Sequence, residues 1–314
     1  MHEDWGSRCE RWAGVRSEVI DVRGTDVHTM RAGDDHDGLP ILLVHGLAGS
    51  ASNWLEVMPG LAERRPVLAM DLPGFGRTRP PRKEAARVTA NARFLRALLD
   101  RLGWDEVEVH GNSMGGMISV MLAANEPDRV RRLVLSSPAL SSSRRDVAQL
   151  ERTTFLQFAP FLVQGVGERL LQRVYSRSTP QELYDQTADY LHADPTRVSP
   201  ELGEVSLENV QWGREQDWRL PAFTVATNSI VRAVTTRRRL EQAICSVAAP
   251  TLVLWGDRDR LIGAPVIDRV AALRPDWRIE VLDDIGHVAM FEAPQRYLDL
   301  VGAWRDENLG TQPA

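Results

Sequence analysis

VEVHGNSMGGMISVMLAANEPDRV, residues 107–130, is the stretch whose reading decides the fold. A β-rich run carrying Val107 and Val109 stops at His110-Gly111, and a sharp Gly-Asn-Ser-Met-Gly turn follows. An apolar, helix-like stretch then runs from Met114 to about Asn125. The turn has the form G-x-S-x-G, in which Gly111 and Gly115 remove side chains so that strand and helix can pass close around a strained Ser113. A serine lifted there stands at a helix N-terminus, where free N–H groups favour developing negative charge. It reads as a nucleophile. The bare pattern arises by chance in roughly one chain in ten of this length at average composition. It therefore needs an acid and a histidine later in the chain, in the order Ser, Asp/Glu, His.

The remaining chain can supply that context. Its 314 residues suffice for one large α/β domain with an insertion, or for two domains. Composition is that of a soluble globular protein, 43% hydrophobic and 26% charged, with a mean hydropathy of -0.28. A net charge of -5 carries no electrostatic footprint for nucleic acid or an anionic membrane, and Arg237, Arg238 and Arg239 read as a solvated helix face. Two cysteines, Cys9 and Cys245, are too few for a disulfide framework or a zinc site. The N-terminus reads as a polar lead without the apolar core of a signal peptide, and no apolar run reaches bilayer length. A cytoplasmic protein without a membrane span is expected; assembly as a homodimer stays open.

Taken in order, Glu18 to Val22 and Asp26 to Met30 form an edge hairpin turning at Gly24-Thr25. Pro40 to His45 and Pro66 to Met70 are continuous apolar runs of the kind buried on both sheet faces, each ending in a Gly-rich loop. Apolar residues at helical spacing from Val88 end at Leu102-Gly103, and Val130 to Leu135 supplies a strand after the helix at 114–125. Alternating strands and helices imply a parallel sheet with its chemistry at the carboxyl ends of the strands. The rhythm breaks over 141–246, where only amphipathic stretches punctuated by Pro180, Pro195, Pro200 and Pro221 occur. The expected organisation is a core of residues 1–140 and 247–314, with 141–246 inserted as a helical cap. Strands resume at Pro250 to Trp255 and Arg278 to Leu282, with helices near Ala264 to Leu273 and from Pro294 to Trp304.

Two acids, Asp257 and Asp259, follow the strand TLVLW, and His287 stands beside Gly286 after the last strand. A lone histidine is usually a capped or surface residue. At this point in the order, its imidazole could return to the active edge of the sheet and take the Ser113 proton.

Together, His45-Gly46, Asp71-x-Pro-Gly-Phe-Gly-x-Thr78, Gly111-Asn-Ser-Met-Gly-Gly116, Trp255-Gly-x-x-Asp259, Gly286-His287 and Glu292-x-Pro294 resemble the α/β-hydrolase superfamily. The resemblance spans about Pro40 to Trp304, outside the cap. It implies a mostly parallel eight-stranded sheet flanked by helices, with Ser113 as nucleophile, His287 as base and Asp259 as acid; Asp257 is the fallback. It also implies an oxyanion hole from the backbone N–H groups of Leu47 and Met114, with Ala48 replacing Leu47 if the loop turns differently. Asp71 belongs in that family to a structural loop. His45 and His110 are expected to shape loops by hydrogen bonding, Trp54 to lie in the core, and the aromatics Phe155, Phe158, Phe161, Trp212, Trp218 and Phe223 to pack the cap.

Serine at the elbow disfavours the dehalogenases and epoxide hydrolases of this fold, which use aspartate there. A serine forms an acyl-enzyme, calls for no metal or organic cofactor, and fits hydrolysis of a carboxylic ester or related carbonyl bond in a small to medium apolar molecule. The Gly-Asn-Ser-Met-Gly-Gly elbow is similar to that of carbon–carbon bond hydrolases of meta-cleavage products. Those enzymes carry a glycine-rich oxyanion loop and a tryptophan after the base, where this chain has His45-Gly-Leu-Ala-Gly49, as in lipases and esterases, and Val288. Ester hydrolysis ranks first and carbon–carbon hydrolysis second. A ligand-binding or non-hydrolytic biosynthetic protein of the same fold is the reading from another class.

Overall fold

The computed structural model describes residues 4–141 and 166–309. Eight strands form one sheet in the order β1-β2-β4-β3-β5-β6-β7-β8. They are β1 (Arg16–Val22), β2 (Thr25–Ala32), β3 (Ile41–Val44), β4 (Val67–Met70), β5 (Val107–Asn112), β6 (Val130–Ser136), β7 (Thr251–Gly256) and β8 (Arg278–Leu282). Only β1 and β2 pair antiparallel, with each other and with β4 through β2; the rest of the sheet is parallel.

The helices follow as α1 (Met58–Leu61), α2 (Val88–Leu102), α3 (Met114–Asn125), α4 (Val166–Arg177), α5 (Pro180–Leu191), α6 (Pro200–Arg214), α7 (Arg219–Thr236), α8 (Arg238–Ser246), α9 (Ala264–Leu273), α10 (Ala289–Glu292) and α11 (Pro294–Leu309).

Strand β3 shows why the apolar runs sit centrally. All four of its side chains are buried, and the pleat sends Leu42 and Val44 to one core and Ile41 and Leu43 to the other. On the first face lie α2 and α3; on the second lie Trp54, Tyr297 and Trp304. Helix α3 is apolar nearly all round because it is buried between the sheet, α2 and α8. Helix α2 ends where Gly103 takes the left-handed conformation, φ 67°, and caps the last turn.

Between β6 and β7 the described residues 166–246 hold helices α4 to α8 and no strand. Residues 142–165, with Phe155, Phe158 and Phe161, lie outside the described residues. Trp212 and Trp218 pack edge to face at 6.0 Å, and Phe223 packs on the first core.

The polar N-terminal lead is a correction: Trp5, Cys9 and Trp12 are buried in the second core, with Trp5 Nε1 donating to Ser17 Oγ at 2.8 Å. The few apolar residues among charged neighbours hid this short segment, which has no helical or strand period. Arg8 reaches from it to Glu208 on α6 at 2.9 Å. The last helix also runs further than expected, to Leu309.

Candidate active site

Strand β5 delivers Ser113 into the turn before α3 with φ 54° and ψ −116°, a conformation that costs a non-glycine residue roughly 1–3 kcal/mol. Its surroundings hold it there. The Ser113 N–H donates to Ser136 O at 3.0 Å, and Ser113 O accepts from Ala139 at 3.0 Å and Met117 at 3.2 Å. The turn closes because residue 115 has no side chain: a Cβ on Gly115 would stand 2.2 Å from Val44 O. Ser113 is 7% exposed, and its Oγ makes no hydrogen bond among the described residues.

Asn112, the variable position of the motif, is a site residue that sequence reading passed over. Its Nδ2 donates to Ser136 O at 3.1 Å and to His287 O at 3.3 Å, so the residue before the nucleophile holds the main chain of the histidine.

His287 and Asp259 meet as the chain order suggested. His287 Nδ1 lies 2.8 Å from Asp259 Oδ2, and both residues are buried. Asp259 Oδ1 accepts from Leu261 N at 2.8 Å and Ile262 N at 2.9 Å, which fixes the carboxylate as an acceptor. Asp259 thus engages Nδ1 of His287, and Nε2 makes no hydrogen bond among the described residues. Asp257 points elsewhere: it is exposed and accepts from Asp284 N at 2.7 Å.

The loop after β3 passes directly over the elbow, with the Cβ position of Gly46 only 3.1 Å from Ser113 Cβ. His45 organises it. The Nδ1–H donates to Gly46 O at 2.7 Å, Nε2 accepts from Leu72 N at 3.0 Å, and complete burial pushes the pKa down to about 4. Asp71 supports the same loop, accepting from Ala51 N at 2.6 Å, Arg77 N at 2.7 Å and His28 Nδ1 at 2.8 Å. Those donors and the neighbouring histidines hold its carboxyl below the usual range against the opposing cost of burial. Leu47 and Met114, the two expected oxyanion donors, have amides that find no acceptor among the described residues.

His110, by contrast, shapes no loop. It stands on β5 against α11, with Nε2 2.7 Å from Glu108 Oε1 and Nδ1 2.7 Å from Tyr297 Oη; Arg305 donates to the same Glu108 oxygen. Trp54 is fully buried against Tyr297.

Glu292 completes the surroundings of the histidine. Its Oε2 accepts from Gly286 N at 2.8 Å, and its Oε1 accepts from Ala193 N at 3.0 Å and Asp194 N at 3.1 Å. The E-x-P motif marked this residue without revealing that it binds the turn after α5. Among the described residues no group of three His, Cys, Asp or Glu side chains is placed to hold a metal ion, and no helix is long and apolar enough to cross a membrane.

The family model described as alpha/beta hydrolase fold matches residues 40–294. The chain belongs to that family. Among its curated relatives, a 2-hydroxy-6-oxononadienedioate/2-hydroxy-6-oxononatrienedioate hydrolase from Dechloromonas aromatica is 28% identical over 83% of this chain and 84% of its own length. Lipase 1 of Psychrobacter immobilis is 29% identical over 85% of this chain and 77% of its own. This alpha/beta hydrolase also superposes on the haloalkane dehalogenase DatA of Agrobacterium tumefaciens with a TM-score of 0.79, at 21% identity over 95% of this chain and 99% of that one. The last is a likeness of fold.

Proposed function

We propose that this alpha/beta hydrolase is a serine hydrolase that cleaves a carboxylic ester, or a related carbonyl bond, of a small to medium apolar substrate through an acyl-enzyme on Ser113. The observation that carries this is the 2.8 Å bond between His287 Nδ1 and Asp259, on a histidine whose main chain is held by the neighbour of Ser113.

Ser113 Oγ attacks the carbonyl carbon while His287 Nε2 takes its proton, and the amides of Leu47 and Met114 receive the oxyanion. Collapse expels the alcohol, which takes the proton from His287. Water, deprotonated by the same nitrogen, then releases the acid and restores Ser113. Asp259 keeps the imidazole in the needed tautomer and stabilises its cation. The helices between β6 and β7 would form a cap supplying the substrate walls. Two free cysteines, one of them exposed, fit a reducing, cytoplasmic setting.

Ser113→Ala is expected to abolish turnover of p-nitrophenyl acyl esters while leaving the fold intact, and retained turnover would overturn the proposal. Carbon–carbon bond hydrolysis is the second reading, favoured by the Dechloromonas relative. Loss of visible absorbance from a vinylogous diketo acid, faster than ester turnover, would reverse the ranking.

A further inference from the structure

Arg219 opens α7, and sequence pattern singles it out in no way. Its Nη2 donates to Ala48 O at 2.9 Å and its Nη1 to Gly76 O at 3.3 Å, with the guanidinium 5.9 Å from the Phe75 ring centroid. Ala48 sits at φ 62°, outside the usual range for a side-chain-bearing residue, so the turn needs outside support. Among the described residues this is the one hydrogen bond that Ala48 O accepts.

Planarity of the peptide makes that bond reach further than one carbonyl. Ala48 O and Gly49 N–H belong to one peptide unit, and Gly49 N–H donates to Gly46 O at 3.1 Å. Gly46 O and Leu47 N–H belong to the next. The Leu47 N–H lies in the plane of that peptide, pointing opposite to Gly46 O, and has no acceptor among the described residues. A cation thus heads a chain of two peptide dipoles aligned head to tail, each polarising the next, and the chain ends on the amide that follows Gly46, whose Cβ position is 3.1 Å from Ser113 Cβ.

We propose that Arg219 is a positioning residue for the oxyanion loop: through the Ala48–Gly49 and Gly46–Leu47 peptides it orients and polarises the Leu47 amide for the tetrahedral intermediate. This rests on the acyl-transfer function proposed above. It also assigns the helical segment a part in the chemical step, beyond substrate choice. The side chain is half-buried; burial pushes its pKa down, opposed by Tyr175 and Asp71 nearby.

The test compares wild type, Arg219→Ala and Arg219→Lys on a p-nitrophenyl ester, with affinity for a trifluoromethyl ketone as the readout of the oxyanion site. Arg219→Ala should lose between about 10- and 100-fold in kcat with KM changed less than about threefold. Ketone affinity should fall in parallel with kcat/KM, because only the tetrahedral adduct uses the Leu47 amide. A cleft of about 300 Å³ between α4, α6 and α7 is lined by Arg219, so millimolar guanidinium should restore part of the lost kcat to Arg219→Ala. Arg219→Lys, which keeps the charge but not both carbonyl contacts, should fall between the two. If Arg219→Ala does not fold, Arg219→Lys and Arg219→Gln carry the same readouts. An unchanged kcat, a loss confined to KM, or unaltered ketone affinity would overturn the proposal. Failure of the acyl-transfer function itself looks different: wild type would then show neither Ser113-dependent turnover nor labelling of Ser113 by a fluorophosphonate.

Discussion

The backbone N–H of His287 donates to Leu191 O at 2.7 Å. Leu191 ends α5, so the histidine loop of the sheet and the helical segment between β6 and β7 share a hydrogen bond at the residue proposed as base. The Glu292 carboxylate accepts two more backbone bonds across the same junction, from Ala193 and Asp194, and a third from Gly286 within the histidine loop.

Removing that carboxylate should therefore cost both stability and turnover. Glu292→Ala leaves three buried or half-buried N–H groups without their acceptor and should lower unfolding free energy by about 2–4 kcal/mol. Glu292→Gln keeps one acceptor oxygen and should lie between. Urea midpoints, read beside kcat for an ester substrate, check both; a Glu292→Ala midpoint equal to wild type would refute the junction.

The two acids after β7 should separate cleanly. Asp259→Asn leaves an amide that does not hold the His287 Nδ1–H tautomer, and kcat should fall roughly 10³–10⁴-fold. Asp257→Asn alters an exposed side chain that accepts from Asp284 N and should leave kcat within about threefold of wild type. Steady-state kinetics on the pair decide the matter, and a reversed order would transfer the role to Asp257.

Acid sensitivity follows from His45. Its folded-state pKa is pushed down to about 4, whereas the unfolded chain binds the proton near the ordinary value of 6.5. Between those values the unfolded state holds more protons, so stability is fully present above about pH 6.5 and drains as pH falls toward 4, by about 3 kcal/mol from this group. Burial pushes His110 and His192 in the same direction, so they add with the same sign. Denaturant midpoints between pH 7 and 4.5 should show the decline, and His45→Gln should flatten it partly while lowering the plateau. A wild-type midpoint independent of pH over that interval would contradict the burial argument.

Much of the sheet was legible because its signals are local. Ile41 to Val44 and Val67 to Met70 are short apolar runs between turn residues, and Val88 to Leu102 repeats at helical spacing before a glycine. The Ser, Asp, His order was legible too, since motif glycines mark each turn. Trp5 and Trp12 were not, because two tryptophans in a polar segment carry no period. The contacts of Asn112, Glu292 and Arg219 escaped for another reason: their partners are main-chain groups 24, 175, 99 and 171 positions away, and a backbone N–H or carbonyl leaves no trace in the identity of its residue.

The amino-acid sequence by itself determined the parallel sheet, the elbow at Ser113 and the candidate order of nucleophile, acid and base, because hydrophobic period and glycine punctuation act over a few residues. Only the tertiary structure decided that Asp259 and not Asp257 reaches His287, that Glu292 joins the histidine loop to the turn after α5, and that Arg219 grips the loop of Leu47. Those contacts depend on how rigid elements dock, and docking is a property of the whole packed core.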